Sequence, residues 1–508
     1  MRRDTLFIAT VGFLALPNVI FAFGWLKLGL ALVVAAVVVA CLRDIWGRSK
    51  TDAPRLSAWA CCFVLALAAF WTCAGGIGEL NAQTSDYIKH NLVFHDLIVE
   101  SWPVVYARAD LGDPLLCYYL AYYLPPSLLG KVFGLQHAAA FSLVWGLLGV
   151  TLAFAWICRL GRPRGPIVLA LFTLVDGFCW LPGLYPLAQR IGLLPGTANG
   201  EWWHSNNFVE NFWSFGGLHT RLQFQCEPSL LMWTPQHTLG AWLGAACALH
   251  CVLERQPRHI LLVNAAVFLW SPFVGLGLLP FTAAACLRQP RQTWSWPNVV
   301  GGVALAAPVG LYFQAHLPQQ YAGLLFSTFS GVTDWLRYLF FLVLAVGIFW
   351  AGLRLIHRRY GVLSQTQWQL FWLACAVLVT VTFVFVGRYN DWVMRVSMPA
   401  SFVFHVTLAA SAVALWQRPA QRVPALAFAL LLLLSAERSL KLYVLTPLER
   451  LPGQGIATTI ATARQEVRGL AYLGATPEFD FAAQYLGRRN SIFGTILMRS
   501  RPDLRAAE

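Results

Sequence analysis

Residues 5–42 read TLFIATVGFLALPNVIFAFGWLKLGLALVVAAVVVACL and contain one charged side chain, Lys27. The apolar runs at 5–23 and 27–42 approach the roughly 20 residues that an α-helix needs to cross about 30 Å of hydrocarbon. The stretch therefore predicts two consecutive membrane-spanning helices. The preceding residues, MRRD, resemble the start of a signal peptide, but no small-residue cleavage site follows, so we expect an uncleaved first helix.

Similar apolar runs recur along the chain, which is 58% hydrophobic and 12% charged over 508 residues. This composition predicts an all-α, polytopic membrane helix bundle of about 13 spans. The predicted spans lie at 5–23, 27–42, 57–75, 138–157, 166–183, 235–253, 259–271, 273–287, 297–315, 336–353, 367–386, 397–415 and 423–436. Residues 437–508 then form a small polar C-terminal region, separate from the transmembrane domain 1–436.

The net charge of +14 reflects short basic clusters between apolar runs rather than a nucleic-acid-binding surface. Under the positive-inside rule these connections face the cytoplasm. They are Arg43–Arg55, Arg159–Arg164, Arg255–Arg258, Arg288–Arg291, Arg354–Arg359 and Arg418–Arg422. The loops 76–137 and 184–234, the shorter segments 316–335 and 387–396, and the tail after Ala436 then face outward.

Residues 114–133 are apolar enough to span, but a span there would place Arg159–Arg164 outside. Pro125-Pro126 also interrupts the helix by removing backbone donors. We therefore expect a broken, interfacial or re-entrant element at the outer surface.

The first part of the first outer loop, from Gly75 to Asp113, is rich in carboxylates. It holds Glu79, Asp86, Asp96, Glu100, Asp110 and Asp113 against Lys89 and Arg108. Within it, residues 86–101 (DYIKHNLVFHDLIVES) have the periodicity of an amphipathic helix with its charged residues on one stripe. We expect this juxtamembrane helix to lie along the bilayer surface with its acids facing water.

Asp86 is the first candidate catalytic residue. It begins the predicted helix, where the helix dipole favours an ionised carboxylate, and a carboxylate there could act as a general base on an incoming hydroxyl. The alternative is a structural N-cap. Asp176 is the second candidate, because an ionisable group inside a predicted span is costly and often faces a cavity or a partner.

The second outer loop contains GTANGEWWHSNNFVENFWSFGG at 196–217. Its aromatic side chains predict either an interfacial belt or faces that stack on sugar rings. Candidate residues are Glu201 for catalysis and Trp202, Trp203, His204 and Glu210 for substrate binding. A divalent metal is conceivable here, but the spacing forms no ligand pattern, so no metal ligand is predicted and the cofactor stays open.

A short outer loop at 387–395 carries Arg388 and Arg395 on either side of Asp391. Arginines at the outer surface oppose the positive-inside trend. Guanidinium groups suit bidentate phosphate binding, so this loop predicts contact with a lipid phosphate. The alternative is a structural Arg–Asp pair.

The order of these features resembles the GT-C superfamily of integral membrane glycosyltransferases, over about residues 57–165. The likeness rests on Asp86 and Asn91 in a D-x-x-x-x-N setting near Lys89, on the segment PLLCYYLAYYLPPSLLGKVFG, and on the following helix that ends in WICRLGR. The usual paired acidic motif is absent from the first loop, so Glu79 and Asp96 remain alternatives to Asp86.

The resemblance implies a GT-C-like architecture and transfer of a sugar from a polyprenyl-phosphate donor to a lipid-linked, glycan or protein acceptor at the outer membrane face. Arg388 or Arg395 would meet the charge of the departing phosphate. A transporter or flippase is a competing interpretation, although it would need charges in several spans. A polymerase or ligase of lipid-linked saccharides would share the location and the arginines. A non-catalytic scaffold also remains open.

Overall fold

The computed structural model describes residues 2–81, 83–178, 181, 203–206, 210–317, 321–442, 458–465, 467–474 and 481–500, with the backbone alone at 203–206, 210–212 and 481. It is 73% helix and 5% strand, which confirms the all-α class.

The helical hairpin predicted at residues 5–42 is present as α1 (Thr5–Trp25) and α2 (Leu28–Arg48). The Asp4 carboxylate caps α1 by accepting a hydrogen bond from the Phe7 N–H at 3.2 Å. Each helix has 21 residues and is therefore about 30 Å long, the thickness of a hydrocarbon core.

The remaining helices follow in chain order. The first group is α3 (Ala58–Ala74), α4 (Tyr87–Val99), α5 (Leu124–Phe133), α6 (Ala138–Leu160) and α7 (Gly165–Leu174). The second group is α8 (Glu227–Trp233), α9 (Pro235–Leu253), α10 (Ile260–Phe268), α11 (Pro272–Arg288), α12 (Pro290–Thr293) and α13 (Gly302–Gln314). The last group is α14 (Val332–Leu342), α15 (Ile348–Tyr360), α16 (Gln365–Thr380), α17 (Asp391–Val396), α18 (Met398–Trp416) and α19 (Arg422–Leu434).

Short antiparallel strand pairs tie the connections together. They are β1 (Arg2–Arg3) with β2 (Lys50–Thr51), β3 (Leu115–Leu116) with β8 (Leu486–Gly487), β4 (Trp203–Asn206) with β5 (Glu210–Trp213), and β6 (Ala322–Leu324) with β7 (Val384–Val386). The pairing of β3 with β8 joins the first outer loop to the C-terminal tail.

Six helices in the described part of the chain are long and apolar enough to cross a membrane. They are Thr5–Trp25, Leu28–Arg48, Leu135–Leu160, Val332–Tyr360, Gln365–Phe383 and Met398–Trp416. In an 18-residue window of each helix, 83% of the residues are buried in Met398–Trp416 but only 28% in Leu28–Arg48. Helix α18 therefore lies at the centre of the bundle and α2 at its edge.

Several predicted spans correspond to shorter helices. The span predicted at 166–183 is the ten-residue helix α7, which ends at Leu174. The apolar helices Ala58–Ala74, Pro272–Arg288 and Pro419–Leu434 also have fewer than 18 residues. Length and composition therefore identify six candidate spans among the described residues.

Several arginines of the basic connections bind neighbouring segments. The Arg159 guanidinium donates to both Asp4 carboxylate oxygens at 2.6 and 2.7 Å, and Arg258 pairs with Asp44 at 3.0 Å. Further bonds join Arg288 to Thr366 and Arg418 to the Tyr360 carbonyl. These contacts join basic segments to neighbouring segments in pairs, and the cytoplasmic placement of the basic segments stays a prediction.

The helix predicted at 86–101 is present as α4, but the prediction that its acids face water is wrong for Asp96. Residues on both of its faces are buried, and Asp96 is 0% exposed. The C-terminal tail covers the charged face, where Arg464 pairs with Asp96 and Glu100 at 2.8 Å each. The guanidinium of Arg464, from the tail, therefore contacts these carboxylates where contact with water was expected.

The segment 114–133 is broken, as predicted. It comprises β3, a single 3-10 turn at Leu120–Tyr122, and α5. Pro125 and Pro126 lie in the first turn of α5 rather than in the middle of a longer helix. Proline is tolerated there because the first-turn N–H groups have no helical acceptor.

Candidate functional site

Asp86 immediately precedes α4, and its side chain does not cap that helix. Its Oδ2 accepts a hydrogen bond from the Lys89 ammonium at 3.0 Å. The Asp86 side chain is 35% exposed, whereas that of Lys89 is 9% exposed. The local sequence thus places a paired but accessible carboxylate at the start of the helix.

The start of α4, with Asp86 and Lys89, is the first wall of the site. The loop before α17 is the second. Asn390 adopts a left-handed backbone (φ 54°), which asparagine tolerates better than most residues. Its side-chain oxygen accepts from Val393 N–H, while its amide donates to the Arg221 carbonyl at 2.8 Å. This turn starts α17, on which Asp391 pairs with Arg395 at 2.9 Å.

The two walls enclose one cleft with two lobes. The larger lobe has a volume of about 560 Å³ and is lined by Asp86 as well as Arg395. The smaller lobe, of about 250 Å³, is mainly aromatic, with Tyr118, Tyr119, Phe273 and Phe313 in its wall. The residues common to both lobes are Lys89, Asp391, Arg395, Gln484 and Tyr485.

The C-terminal tail supplies the third wall. Gln484 and Tyr485 line both lobes and directly precede β8, whose pairing with β3 fixes their position. The Cys117 N–H donates to the Tyr485 carbonyl at 2.8 Å. Sequence analysis missed this contribution, because no local pattern in the tail indicates that it returns to the first outer loop.

Arg221 is a further lining residue that sequence analysis missed. Its Nε donates to the Tyr389 carbonyl at 2.9 Å, and its guanidinium lies 5.1 Å from the Tyr389 ring centroid. It also lies in a predicted outer loop, so the argument applied to Arg388 and Arg395 could have identified it.

Neighbouring charges keep Asp86, Lys89 and Arg395 ionised at neutral pH. Burial raises the pKa of Asp86, but Lys89, with a smaller contribution from Arg395, lowers it below its usual value. Burial lowers the pKa of Lys89, and the neighbouring Asp86 raises it above its usual value. Burial likewise opposes the charge of Arg395, but Asp391 outweighs this and raises its pKa.

Arg395 retains hydrogen-bonding capacity. Its side chain is 11% exposed, and its Nε has no partner among the described residues. Because this Nε is buried, an anion in the cleft would contact the exposed part of the guanidinium and compete there with Asp391. The described lining residues of the larger lobe include the cations Lys89, Arg221 and Arg395 and the carboxylates Asp86 and Asp391, so cations exceed anions there.

His90 supports the cleft from behind. Burial, followed by the charge of Lys89, lowers the pKa of His90 to about 3, so the ring is neutral. Its Nε2 lies 3.1 Å from the Trp233 carbonyl and its Nδ1 lies 2.5 Å from the Tyr123 hydroxyl. A neutral ring protonated on Nε2 satisfies both contacts and holds α4 against Trp233, a lining residue.

Asp176 is not among the described residues that line the cleft. It follows α7 rather than lying within a span, and it forms a buried pair with Arg438 through two bonds of 2.8 Å. Ser435 accepts from the Asp176 N–H at 3.2 Å. These contacts give Asp176 a structural role, as a buried partner of Arg438.

The other first-loop candidates make contacts with the tail. Asn91 donates to Gln83 at 2.9 Å and to the Thr458 carbonyl at 2.8 Å. Glu79 accepts from the Ile460 N–H at 2.6 Å. Asp96 accepts from the Tyr106 hydroxyl and the Leu470 N–H in addition to Arg464. Each of these three residues thus contacts the tail, and none is among the described residues that line the cleft.

Of the remaining predicted residues, Arg388 is not among the described residues that line the cleft. Arg388 is exposed, with its guanidinium 5.8 Å from the Tyr389 ring centroid. Glu201 and Trp202 lie outside the described residues. Trp203 and His204 on β4 and Glu210 on β5 are placed by their backbone, with His204 opposite Phe212.

No cluster of three or more His, Cys, Asp or Glu side chains that could hold a metal ion occurs within the described ranges. Comparison with family models, with curated proteins and with solved structures gave no match. The interpretation of the site therefore rests on its own geometry and charges.

Proposed function

We propose that the protein is a membrane glycosyltransferase that moves a sugar from a polyprenyl-phosphate donor to a hydroxyl acceptor at the outer face of the inner membrane. The proposal includes a GT-C-like bundle in which shorter apolar helices complete about 13 spans. The observation that carries it is the shared cleft: Asp86, a candidate base, and Arg395, a candidate phosphate ligand, line one cavity.

The cations of the cleft suit a phosphate leaving group. Lys89 and Arg395 lie where the two lobes meet, so a phosphate between the lobes would contact both. Hydrogen bonds to charged groups are roughly twice as strong as neutral ones. Fixed cations aimed at a position where negative charge develops are an effective means of lowering a reaction barrier.

In the proposed reaction, the acceptor oxygen attacks C1 of the sugar and a new C1–O bond forms. The C1–O bond to the lipid phosphate breaks, and its electron pair leaves with the phosphate, next to Arg395. The acceptor proton passes to Asp86. The lowered pKa of Asp86 makes it a weak base, so proton transfer would accompany bond formation, when the hydroxyl is most acidic.

The aromatic lobe offers a position for the sugar. Tyr118 and Tyr119 line it beside Lys89. Flat aromatic faces suit the CH faces of pyranoses, and the adjacent polar groups would orient the hydroxyls. This arrangement would place the sugar between aromatic rings and the anomeric carbon near the junction of the lobes.

The test is transfer by purified protein in lipid vesicles supplied with a panel of radiolabelled polyprenyl-phosphate sugars and with membrane-extract acceptors. We expect Asp86→Asn to lower transfer at least a hundredfold, the usual scale for loss of a general base. The matched control is Asp110→Asn, since the Asp110 side chain is 60% exposed and pairs with Arg108 outside the cleft. Equal transfer by wild type and Asp86→Asn would refute the assignment.

A further inference from the structure

A second apolar groove lies between α7, α18 and α19, away from the cleft. Its volume is about 470 Å³, within the usual range of ligand pockets. Ile167 and Leu171 form one wall, Ala412 and Val413 the second, and Ala425 and Ala429 the third. The groove therefore has the apolar lining that a hydrocarbon chain requires.

Two arginines mark one end of this groove. Arg164 precedes α7 and Arg422 begins α19, and both line the groove and are exposed. Neither forms an ion pair with a carboxylate in the part of the chain that the structure describes. The Arg422 guanidinium lies 5.9 Å from the ring centroid of Trp416, which also lines the groove.

The two arginines belong to the basic connections Arg159–Arg164 and Arg418–Arg422, which the positive-inside rule places at the cytoplasmic surface. Trp416 lies at the same level, as tryptophan commonly does at a membrane interface. A groove with unpaired guanidinium groups at this depth and apolar walls below them matches an anionic headgroup followed by an acyl chain. Basic pockets between membrane helices bind anionic lipids in this way.

We propose that this groove binds one anionic phospholipid of the cytoplasmic leaflet, with its phosphate between Arg164 and Arg422 and an acyl chain along α7 and α19. The proposal is independent of the sugar-transfer function. The lipid would join the cytoplasmic ends of two short helices whose other ends are connected by the Asp176–Arg438 pair. Its binding should therefore stabilise the packing of α7 and α19 against α18.

The test is native mass spectrometry of the delipidated full-length protein, titrated separately with phosphatidylglycerol, phosphatidylcholine and glycerol 3-phosphate. We expect one phosphatidylglycerol to bind roughly tenfold more tightly than phosphatidylcholine, because each arginine near the surface contributes attraction to an anionic lipid. Glycerol 3-phosphate, which lacks acyl chains, should not displace bound phosphatidylglycerol when the two are mixed. Equal affinity for both lipids, or effective competition by the soluble headgroup, would overturn the proposal.

Two variants separate the groove from general surface charge. Arg164→Gln/Arg422→Gln should lose the preference for phosphatidylglycerol, whereas the control Arg358→Gln/Arg359→Gln removes two exposed charges from α15 and should retain it. Ala429→Phe fills the groove with both arginines intact and should weaken binding of both lipids. Unchanged binding by Ala429→Phe, or an equal loss in the control, would contradict a site in this groove.

Discussion

Asp86 and Arg395 line one cleft although they lie in distant parts of the sequence. Asp86 comes from the first outer loop and Arg395 from α17, and each is paired with an opposite charge a few residues away. The two local pairs, Asp86–Lys89 and Asp391–Arg395, therefore form one site only because the bundle brings their helices to the same end.

The pH dependence of stability follows from the lowered pKa of Asp86. Because the folded-state pKa lies below the unfolded value of about 3.9, the stabilisation is complete above that value and is lost as pH falls through the folded pKa. Wild type should exceed Asp86→Asn in apparent melting temperature by a constant amount from pH 5 to 8. The difference should shrink below pH 4.

The stabilisation from the Asp86–Lys89 pair should be small, about 1 kcal/mol or less, because the Asp86 side chain is partly exposed. Thermal unfolding in detergent over this pH range measures it. A difference between the two proteins that persists unchanged at pH 3 would show that the Asp86–Lys89 pair is not its source.

The anchoring of the C-terminal tail to α4 depends on Arg464. Arg464→Gln leaves the Asp96 carboxylate, which is 0% exposed, without its cation. Removing one partner of a buried pair costs about 3 kcal/mol, so we expect lower thermal stability and faster proteolysis of the tail. Arg468→Gln, an exposed neighbour, is the control and should behave as wild type. Matching behaviour of the two variants would contradict the observed anchoring.

Asp176 and Arg438 should behave as a structural pair. Asp176→Asn and Arg438→Gln should each cost about 3 kcal/mol, because each leaves a buried charge unpaired. The double variant should be destabilised by less than the sum, which a double-mutant cycle measures. If Asp176→Asn abolished transfer with unchanged stability, Asp176 would instead be catalytic.

Local patterns predicted several elements well. The apolar run at 5–42 predicted α1 and α2, and the periodicity of 86–101 predicted α4. The position of α4 could not be predicted, because its charged stripe is covered by Arg464 from the tail, and such a contact leaves no periodic signal. Helices such as α7 are shorter than their apolar runs because hydrophobicity marks burial in protein as well as in lipid.

Prediction of the candidate site was limited in the same way, by contacts between distant segments. Asp86 and Lys89 could be selected from the sequence because they lie at the start of a helix predicted in a carboxylate-rich loop. Asp391 and Arg395 could be selected because arginines at an outer surface oppose the positive-inside trend. Tyr485 could not be selected, since its place in the cleft depends on the pairing of β3 with β8. Asp176 attracted a functional interpretation from its apolar surroundings, whereas the structure places Arg438 against it.

The sidedness of the chain can be tested with reporter fusions. Gly161 follows α6 at the end where Arg159 meets Asp4, and Asp110 lies in the first outer loop. We expect a cytoplasm-active reporter to function at Gly161 and an export-active reporter to function at Asp110. Both positions reporting the same side would contradict the predicted topology.

The central claim, that the cleft binds a lipid phosphate through Arg395, is tested most directly by the affinity of purified protein for farnesyl phosphate. Arg395→Gln should bind it at least tenfold more weakly, since hydrogen bonds to charged groups contribute about 1.5–3 kcal/mol. Arg488→Gln, an exposed outer arginine, should bind it as wild type does, and farnesol should not distinguish the three proteins. Equal affinity of wild type and Arg395→Gln for farnesyl phosphate would contradict the account.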